Sequence, residues 1–487
     1  MSEVIEGLRP QNLWKHFAAI SAIPRSSKHE TDVVRYVIRF AESQGCVVKR
    51  DKFGNIVLRK AAREGYEAAP SICLQGHLDM VCEKNAGTEH DFLKDPIRLR
   101  RDGAHLRATG TTLGADNGIG VAAILAALED PEFKHGPLEA LLTLEEEIGL
   151  TGAKHLEPGF IESRTLLNLD SEEEGALYIG CSGGRDTVGT WKPLWEELRA
   201  KHLIFDLSVK GLKGGHSGLD IDKQRGNAIK ILARLVFALH DQGVRIASLD
   251  GGSKRNAIPR EAQAQLVCTE KQWPLLEATI TRLSALIRSE LSVADPGLQI
   301  EYSVVGSKKA RVLKRVQARR ILAALHAAPH GASKFSHEIP GLVQTSSNVG
   351  VLHTHKKLIT LGTSQRSAVA SELDAMATQM ISLLELAGAD VDSTSGYPGW
   401  APNITSPVLQ TALSTYEKLY GAKPSIKAIH AGLECGLIGE KFGGIDMVSF
   451  GPTIENAHSP DESVELESVE RFYKYLGQML GQLAQLS

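Results

Sequence analysis

The sequence predicts an α/β protein in which a discontinuous domain, built on a mostly parallel sheet flanked by helices, is interrupted by an inserted second α/β domain. In the first 180 residues short apolar runs alternate with helical segments, as is typical of parallel strands buried on both faces. Glycine-rich segments at 180–184 and 393–399 mark the two points where the pattern of apolar runs and helical segments changes. The chain of 487 residues also exceeds what one hydrophobic core usually supports.

Composition and charge exclude several classes of protein. A net charge of −3 gives no general attraction to nucleic acid or anionic membranes, and the basic run at 308–320 is predicted to be a solvated helix face. No apolar run approaches the ~18 residues of a membrane span, and the N-terminus lacks the order of a signal peptide. Six scattered cysteines indicate reduced thiols. We therefore expect a soluble cytoplasmic protein that binds neither nucleic acid nor membranes.

In the discontinuous domain, five short apolar runs each precede acidic or imidazole side chains. Helices are predicted over 13–19, 30–43, 119–128, 407–420 and 468–486, and outer strands over 46–49 and 55–59. The runs, with the groups that follow them, are 72–74 with His77 and Asp79, 111–113 with Asp116, 140–142 with Glu145, Glu146 and Glu147, 166–167 with Asp170, and 447–450 with His458.

The inserted domain repeats a pattern of strands and helices, which indicates two similar α/β sandwich units in tandem. Strands are predicted over 203–210, 244–248, 262–269, 298–305, 349–353, 357–362 and 389–392, and helices over 226–240, 275–291, 312–327 and 371–387. Because His458 follows the insertion, the flanking segments must form one domain. We assign 1–184 and 398–487 to the discontinuous domain and 185–397 to the inserted one.

The side chains after the five runs are predicted to form a metal site. The carboxyl ends of parallel strands meet at one edge of a sheet, where ligands bind. Carboxylates and imidazoles gathered there repel one another and resist desolvation unless a cation compensates them. Singly, Asp116 could be a helix N-cap and the glutamate run a solvated surface. Together they suit two borderline ions such as Zn²⁺, Mn²⁺ or Co²⁺ that share a bridging carboxylate.

The sequence resembles the M20 metallopeptidases, and within them the bacterial aminoacyl-histidine dipeptidases, also called cytosolic non-specific dipeptidases and similar in activity to carnosinases. The resemblance covers essentially the whole chain. It rests on Gly-His-Leu-Asp at 76–79, Leu-Gly-Ala-Asp-Asn-Gly at 113–118, Glu-Glu-Glu-Ile-Gly at 145–149, Asn-Leu-Asp-Ser-Glu at 168–172, Gly-Gly-His-Ser-Gly at 214–218 and Ala-His-Ser-Pro at 457–460.

The resemblance implies a role for each of these side chains around two divalent ions, zinc before cobalt or manganese. Asp79 would orient His77, and Glu146 would be the general base. Aligning the glutamate run on Ile148 and Gly149 selects Glu146 and Glu147 over Glu145. The implied ligands are Asp116 as the bridge, His77 and Asp170 at one ion, and Glu147 and His458 at the other.

The resemblance further implies that the inserted domain is a lid and dimerisation domain, so we expect a homodimer. His216 would donate to the oxyanion from the partner subunit. The guanidinium of Arg366 fits a substrate carboxylate bidentately, and Asn256 is a second clamp. A surface charge and a turn residue are the alternatives for these two. Glu434 could receive the free amino group of a substrate.

The implied activity is hydrolysis of the peptide bond of dipeptides with a free N-terminus, including Xaa-His substrates, by attack of a metal-bridging water. One alternative is an N-acyl amino acid deacylase of the same architecture, whose substrate lacks the free amine. A second is a non-catalytic binding protein with this fold. We would expect such a protein to have replaced Glu146 or Asp116, and both are present.

Overall fold

The computed structural model describes residues 3–485 and divides into two compact units. The first comprises the chain up to Gly180, Trp400–Ala428 and the chain from Leu433 onward. The second comprises Cys181–Gly399 and the short segment Ile429–Gly432. The boundaries predicted from the sequence, at 184 and 398, lie a few residues from these points. None of the helices within residues 3–485 is long and apolar enough to cross a membrane.

The first unit contains an eight-stranded sheet, parallel in its centre. In spatial order its strands are Val47–Arg50, Ile56–Lys60, Leu138–Thr143, Ile72–His77, Thr165–Asn168, Asp446–Ser449, Ala176–Cys181 and Ser425–Ile429. Every residue of Ile72–His77 and Leu138–Thr143 is buried, as is typical of central parallel strands. The third to sixth strands run in the same direction, so their carboxyl ends lie at one edge.

Helices cover this sheet, and a smaller antiparallel sheet lies beside it. The helices are Gln11–Ser21, Thr31–Ser43, Ala115–Glu129, Thr151–His155, Pro407–Tyr420, Glu434–Phe442 and Leu466–Leu483, with a 3₁₀ turn at Glu3–Ile5. The small sheet has the order Ile454–Glu455, Ser463–Glu465, His105–Ala108, Leu99–Asp102. Ala115–Glu129 is buried on nearly every face, which the apolar run from Ile119 to Leu128 explains.

One of the five predicted strands is wrong. Residues 111–113 lie in irregular backbone, joined to Lys84 by a single bridge at Thr111. The amide of Leu113 donates to the carboxylate of Glu462 instead of to a neighbouring strand. The run therefore has the composition of a strand, but its N–H groups bind the loop carbonyl of Glu83 and the side chain of Glu462.

The second unit contains a nine-stranded antiparallel sheet. In spatial order the strands are Gln299–Leu313, Trp195–Lys210, Ala262–Cys268, Arg245–Gly251, Val343–Thr354, Ile359–Ser367, Gly183–Trp191 and Asp390–Ser393, with Gly331–Phe335 paired to Val343–Thr354. Its helices are Ala228–Asp241, Trp273–Glu290, Arg315–Ala327 and Ala370–Leu386, with a 3₁₀ turn at Ile221–Lys223. A separate ribbon pairs Gly215–His216 with Ala257–Ile258.

The predicted α/β class is confirmed, but the two repeated units share one sheet. Their halves meet where Gly251 pairs with Leu352, and one hydrophobic cluster contains Leu232 from the first half and Met380 from the second. The basic run at 308–320 also differs from the prediction. Its first part continues the strand Gln299–Leu313, so only its second part is helical.

Candidate metal centre

Three of the predicted groups of metal ligands lie at the carboxyl edge of the central strands. The other two ligands lie beside this edge, one at the start of a helix and one in a loop. His77 ends the strand Ile72–His77, Asp170 follows Thr165–Asn168, and the glutamate run follows Leu138–Thr143. The remaining two come from the first turn of Ala115–Glu129, which carries Asp116, and from the loop that carries His458.

The two carboxylate oxygens of Asp116 face different pairs of side chains. Its Oδ1 lies 3.1 Å from His77 Nε2, which is also 3.3 Å from Asp170 Oδ1. Its Oδ2 lies 3.0 Å from His458 Nε2, which is also 3.2 Å from Glu147 Oε2. The ligand atoms of each resulting triad lie within 4.8 Å of one another. A carboxylate placed in this way can bridge two ions.

The backbone around Asp116 is not helical, although it lies inside the first turn of a helix. Asp116 has φ −77° and ψ 117°, and the peptide bond to Asn117 is cis. Asn117 accepts the N–H of His77 at 3.2 Å and donates to the carbonyl of Leu169 at 2.7 Å. A Cβ on Gly76 would lie 2.3 Å from Asn117 Oδ1, so only glycine permits this approach. Asn117 thereby ties the two strand ends that carry His77 and Asp170.

Asp79 holds the glutamate loop and one of the histidines together. Its Oδ1 accepts the N–H of Glu146 at 3.0 Å and lies 3.4 Å from His77 Nδ1. Its Oδ2 accepts the N–H of Glu147 at 3.2 Å and the hydroxyl of Ser27 at 2.7 Å. Asp79 is fully buried, so these contacts fix its orientation.

The three glutamates of the run point to different partners. Glu147 Oε2 faces His458, whereas Glu146 Oε2 lies 4.0 Å from His77 Nε2. Glu145 has a positive φ of 52°, and its N–H donates to Glu30 Oε1 at 2.9 Å. Among the residues that the structure describes, Glu146 and Glu147 belong to possible metal-binding groups and Glu145 does not.

The crowding of carboxylates raises several pKa values. Burial, together with the neighbouring Asp116 and Glu147, raises the pKa of Asp170 to about 6. Burial also raises the pKa of Glu146 well above its ordinary value. Hydrogen bonds to Asp116 and Glu147 raise the pKa of His458 to about 11. Without a cation the cluster holds protons, and bound divalent ions would take their place.

The donor set fits two divalent ions. Glu147 Oε1 is a buried acceptor without a hydrogen-bond partner among residues 3–485, and Asp170 Oδ1 is paired only with His77 Nε2, at 3.3 Å, in the same part of the chain. Unpaired buried acceptors are rare and are expected where an ion binds. Imidazole nitrogens and carboxylate oxygens are the donors that zinc, cobalt and manganese accept.

Two buried side chains that the sequence did not single out surround this centre. Arg25 donates to the carbonyls of Leu78 at 3.0 Å and Asp79 at 2.8 Å. Glu462 accepts backbone N–H groups at the start of the Asp116 helix, and so replaces the N-cap role considered for Asp116 itself. Glu462 lies two residues after the Ala-His-Ser-Pro motif at 457–460 and could have been noticed there, whereas no local pattern indicates Arg25.

Glu434 lies fully buried at the first position of the helix Glu434–Phe442. Its Oε2 accepts from Gln75 Nε2 and Thr143 Oγ1, both at 2.6 Å, on two of the central strands. Its Oε1 has no hydrogen-bond partner among the described side chains. Burial raises the pKa of Glu434 to about 7.

In the second unit, His216 has a defined tautomer. Its Nδ1 accepts the N–H groups of Gly218 at 3.2 Å and Leu219 at 3.1 Å, so the ring proton must be on Nε2. Burial and the charge of Arg366 lower its pKa, which keeps the ring neutral. Asn256 is exposed in a turn of the paired ribbon, and its carbonyl accepts the N–H of Ser217 at 2.9 Å.

Arg366 is buried in the second unit, which excludes the surface-charge alternative. Its side chain is 7% exposed, and Nη1 donates to Tyr397 Oη at 2.8 Å. Its Nε has no partner among the residues described. In the same unit, His430 lies between the hydroxyls of Ser182 at 2.6 Å and Ser346 at 2.7 Å. Burial and the nearby Arg366 lower the pKa of His430 to about 3.

Comparison with known proteins identifies the family. The model of peptidase family M20/M25/M40 matches residues 73–482. The chain belongs to this M20 family of peptidases. The resemblance inferred from the motifs is therefore confirmed, and the chain is a hydrolase that acts on peptide bonds.

Relatives of this M20 enzyme match it along nearly its full length. The cytosol non-specific dipeptidase of Escherichia coli (strain K12) is 41% identical over 484 residues, 99% of each chain. The solved aminoacylhistidine dipeptidase from Vibrio alginolyticus is 42% identical, with a TM-score of 0.92 over 98% of this chain and 97% of its own. A Staphylococcus aureus tripeptidase, 16% identical, shares the fold with a TM-score of 0.60 over 98% and 99%.

Proposed function

We propose that this M20 enzyme is a dipeptidase that binds two divalent ions and hydrolyses dipeptides with a free N-terminus, Xaa-His substrates included. The observation that carries the two-ion part is the orientation of Asp116, whose oxygens face His77 and His458 separately. The substrate class is supported by the extensive similarity to two dipeptidases. Because one of these is named a cytosol enzyme, we also assign the protein to the cytoplasm.

The residues that would hold the ions are those of the two triads. His77, Asp170 and Asp116 would bind one ion, and Glu147, His458 and Asp116 the other. When bound, zinc, or cobalt or manganese in its place, would activate a water as the nucleophile and polarise the scissile carbonyl. Asp79 would keep His77 in the orientation that this requires, since it contacts the second ring nitrogen.

Glu146 is the proposed general base. Asp79 accepts the backbone N–H of Glu146. The carboxylates that pair with His458 are those of Asp116 and Glu147, which leaves the Glu146 carboxylate for another role. Burial raises the pKa of this carboxyl well above its ordinary value, which makes it a stronger base than an exposed glutamate. Glu146 would take a proton from the attacking water and return it to the departing amine.

His216 is the proposed oxyanion donor, and we propose that it acts on the active site of the partner subunit in a homodimer. Its neutral ring with the proton on Nε2 is the form needed to donate to a developing negative charge. His216→Ala should lower kcat by about 10²–10³-fold with metal content unchanged.

A mixed dimer tests the partner-subunit part. When His216→Ala chains are co-expressed with Glu146→Ala chains, donation between subunits restores one of the two sites, because one chain keeps its own Glu146 and borrows an intact His216. Donation within the same chain leaves every site defective. A mixed dimer no more active than either parent dimer would contradict the shared site.

Both ends of a dipeptide would be recognised. The unpaired Nε–H of Arg366 and its remaining donors suit a C-terminal carboxylate, and Asn256 would be a second contact. Glu434 has an unpaired buried oxygen suited to the free amino group. This carboxylate favours a dipeptidase over an N-acyl amino acid deacylase, whose substrate carries no amine charge.

The deciding experiment is a substrate panel with and without a chelator, together with a count of metals per chain. We expect hydrolysis of β-Ala-His and Gly-His, loss of activity with the chelator, and two divalent ions per chain. Preferential hydrolysis of N-acetylated amino acids would instead indicate the deacylase, and inactivity toward both classes would contradict the proposed substrate class.

A further inference from the structure

Glu462 binds the segment that carries Asp116 through four backbone hydrogen bonds. Its Oε2 accepts the N–H of Leu113 at 2.7 Å and of Gly114 at 2.9 Å. Its Oε1 accepts the N–H of Ala115 at 2.8 Å and of Asp116 at 3.3 Å. The side chain is 2% exposed, so water does not compete for these donors. Each oxygen of Glu462 therefore accepts two backbone N–H groups.

The same segment is held from its carbonyl side by a buried cation. Arg25 donates to the carbonyl of Gly114 and, through its other nitrogen, to those of Leu78 and Asp79. Glu462 and Arg25 therefore fix the N–H and C=O groups of the residues just before Asp116. This leaves the Asp116 side chain little freedom to change the spacing between its two oxygens and their partners.

Glu462 also belongs to the loop that carries His458. Its own N–H donates to the carbonyl of Ser459 at 3.0 Å, which closes a turn directly after His458. His458 has a positive φ of 63°, and its ring is half exposed, so packing alone does not hold it. One carboxylate thus joins the His458 loop to the Asp116 segment.

We propose that Glu462 is a positioning residue that keeps Asp116 and His458 at the separation that the second ion requires. This inference rests on the proposed two-ion function. The effect should be confined largely to the ion held by Glu147 and His458. His77 ends a buried strand and is oriented by Asp79 without help from Glu462.

The test compares Glu462→Gln and Glu462→Asp with Asp461→Asn, a change at the exposed neighbouring carboxylate. In Glu462→Gln an NH₂ group replaces one oxygen and faces two N–H donors, so two hydrogen bonds are lost. Co²⁺ is titrated into each metal-free protein and followed by its visible absorption and by calorimetry. One of the two ions should bind about 10–100-fold more weakly, and the other as in the unaltered protein.

Kinetics and folding separate positioning from general stability. With Co²⁺ below saturation of the weaker site, kcat should fall while KM for Gly-His stays unchanged, and Glu462→Asp should restore part of both the affinity and kcat. Circular dichroism of the metal-free proteins reports folding. If Glu462→Gln does not fold, Glu462→Asp must by itself show weakened binding of one ion.

Two results would overturn the inference in different ways. If folded Glu462 variants bind both Co²⁺ ions with unaltered affinity and turn over normally, Glu462 serves the fold alone. If the unaltered protein binds fewer than two Co²⁺ ions, the proposed two-ion function fails, and the inference fails with it.

Discussion

The metal centre of the first unit and the polar cluster around Arg366 in the second both bury charged groups, yet their excess charges are opposite. In the metal centre, carboxylates outnumber the two histidines, and burial raises the pKa of Asp170 to about 6. In the Arg366 cluster, the guanidinium is accompanied by Tyr397 and by His430, whose pKa burial lowers to about 3.

Under the proposed function, this difference in charge corresponds to what each region would bind. A group of buried carboxylates with unpaired oxygens is stabilised by a cation, whereas a buried guanidinium with an unpaired N–H is stabilised by an anion. A dipeptide offers a carboxylate for the second region. Its scissile carbonyl and amino group suit the first.

The largest expected effect separates base from ligand within the metal centre. Glu146→Gln should lower kcat by about 10²–10⁴-fold while both ions stay bound, because the amide cannot take a proton. Glu147→Gln should weaken one ion, because Glu147 faces His458 at 3.2 Å. Steady-state kinetics and metal analysis of each variant provide the check.

Glu145→Gln is the matched control for this pair, since its side chain belongs to none of the possible metal-binding groups among residues 3–485. It should be nearly as active as the unaltered enzyme. An inactive Glu145→Gln with two bound ions would mean that the assignment of the glutamates is wrong by one position.

A smaller effect is expected in the second region. Arg366→Ala should raise KM for Gly-His by about 10–100-fold, the effect of losing a charged hydrogen-bonding partner. Gly-His amide, which lacks the carboxylate, should be hydrolysed poorly by the unaltered enzyme. Arg366→Ala should not slow the hydrolysis of this amide further. Arg255→Ala, at a more exposed cation of the same unit, is the control. Equal losses on both substrates would contradict carboxylate recognition.

The smallest effect concerns Glu434, whose pKa burial raises to about 7. A carboxyl with a raised folded-state pKa stabilises the fold fully below its ordinary value near 4.5, and this stabilisation is lost as pH rises through about 7. Glu434→Gln keeps an oxygen for Gln75 and Thr143. The metal-free variant should therefore gain stability relative to the unaltered protein between pH 5 and 8, on the order of 1–3 kcal/mol.

Urea unfolding in the presence of a chelator measures this difference, with Glu440→Gln on the exposed side of the same helix as the control. A difference that does not change with pH would contradict the assignment of a raised pKa to Glu434. The same variant should show a higher KM for dipeptides if Glu434 binds the substrate amine.

The sequence predicted those parts of the molecule that depend on local pattern. The helix Pro407–Tyr420 has the predicted bounds because Ser406 caps it, proline occupies its first position, and Gly421 ends it. The grouping of the candidate ligands at the ends of the central strands was predictable for a similar reason, since each apolar run stops where a carboxylate or imidazole begins.

Groups held by distant partners could not be predicted in this way. Glu462 binds amides about 350 positions earlier in the chain, and Arg25 binds carbonyls of three different residues. The glycine-rich segment at 180–184 was expected only to mark the boundary between the two domains, yet Gly183 starts the strand Gly183–Trp191. A Cβ there would lie 2.6 Å from the amide nitrogen of Gly399. The sequence shows that a glycine is present at this position, but only the tertiary structure shows that a side chain there would clash with the backbone of Gly399.

The most direct test of the two-ion centre is the number of Co²⁺ ions bound per chain by the unaltered protein and by Asp116→Ala. The side chain of Asp116 faces both histidines, so its removal takes a ligand from each ion and leaves their mutual repulsion uncompensated. We predict two ions in the unaltered protein, loss of at least one in Asp116→Ala, and no dipeptide hydrolysis by the variant. An Asp116→Ala protein that retained two Co²⁺ ions and normal turnover would contradict the account.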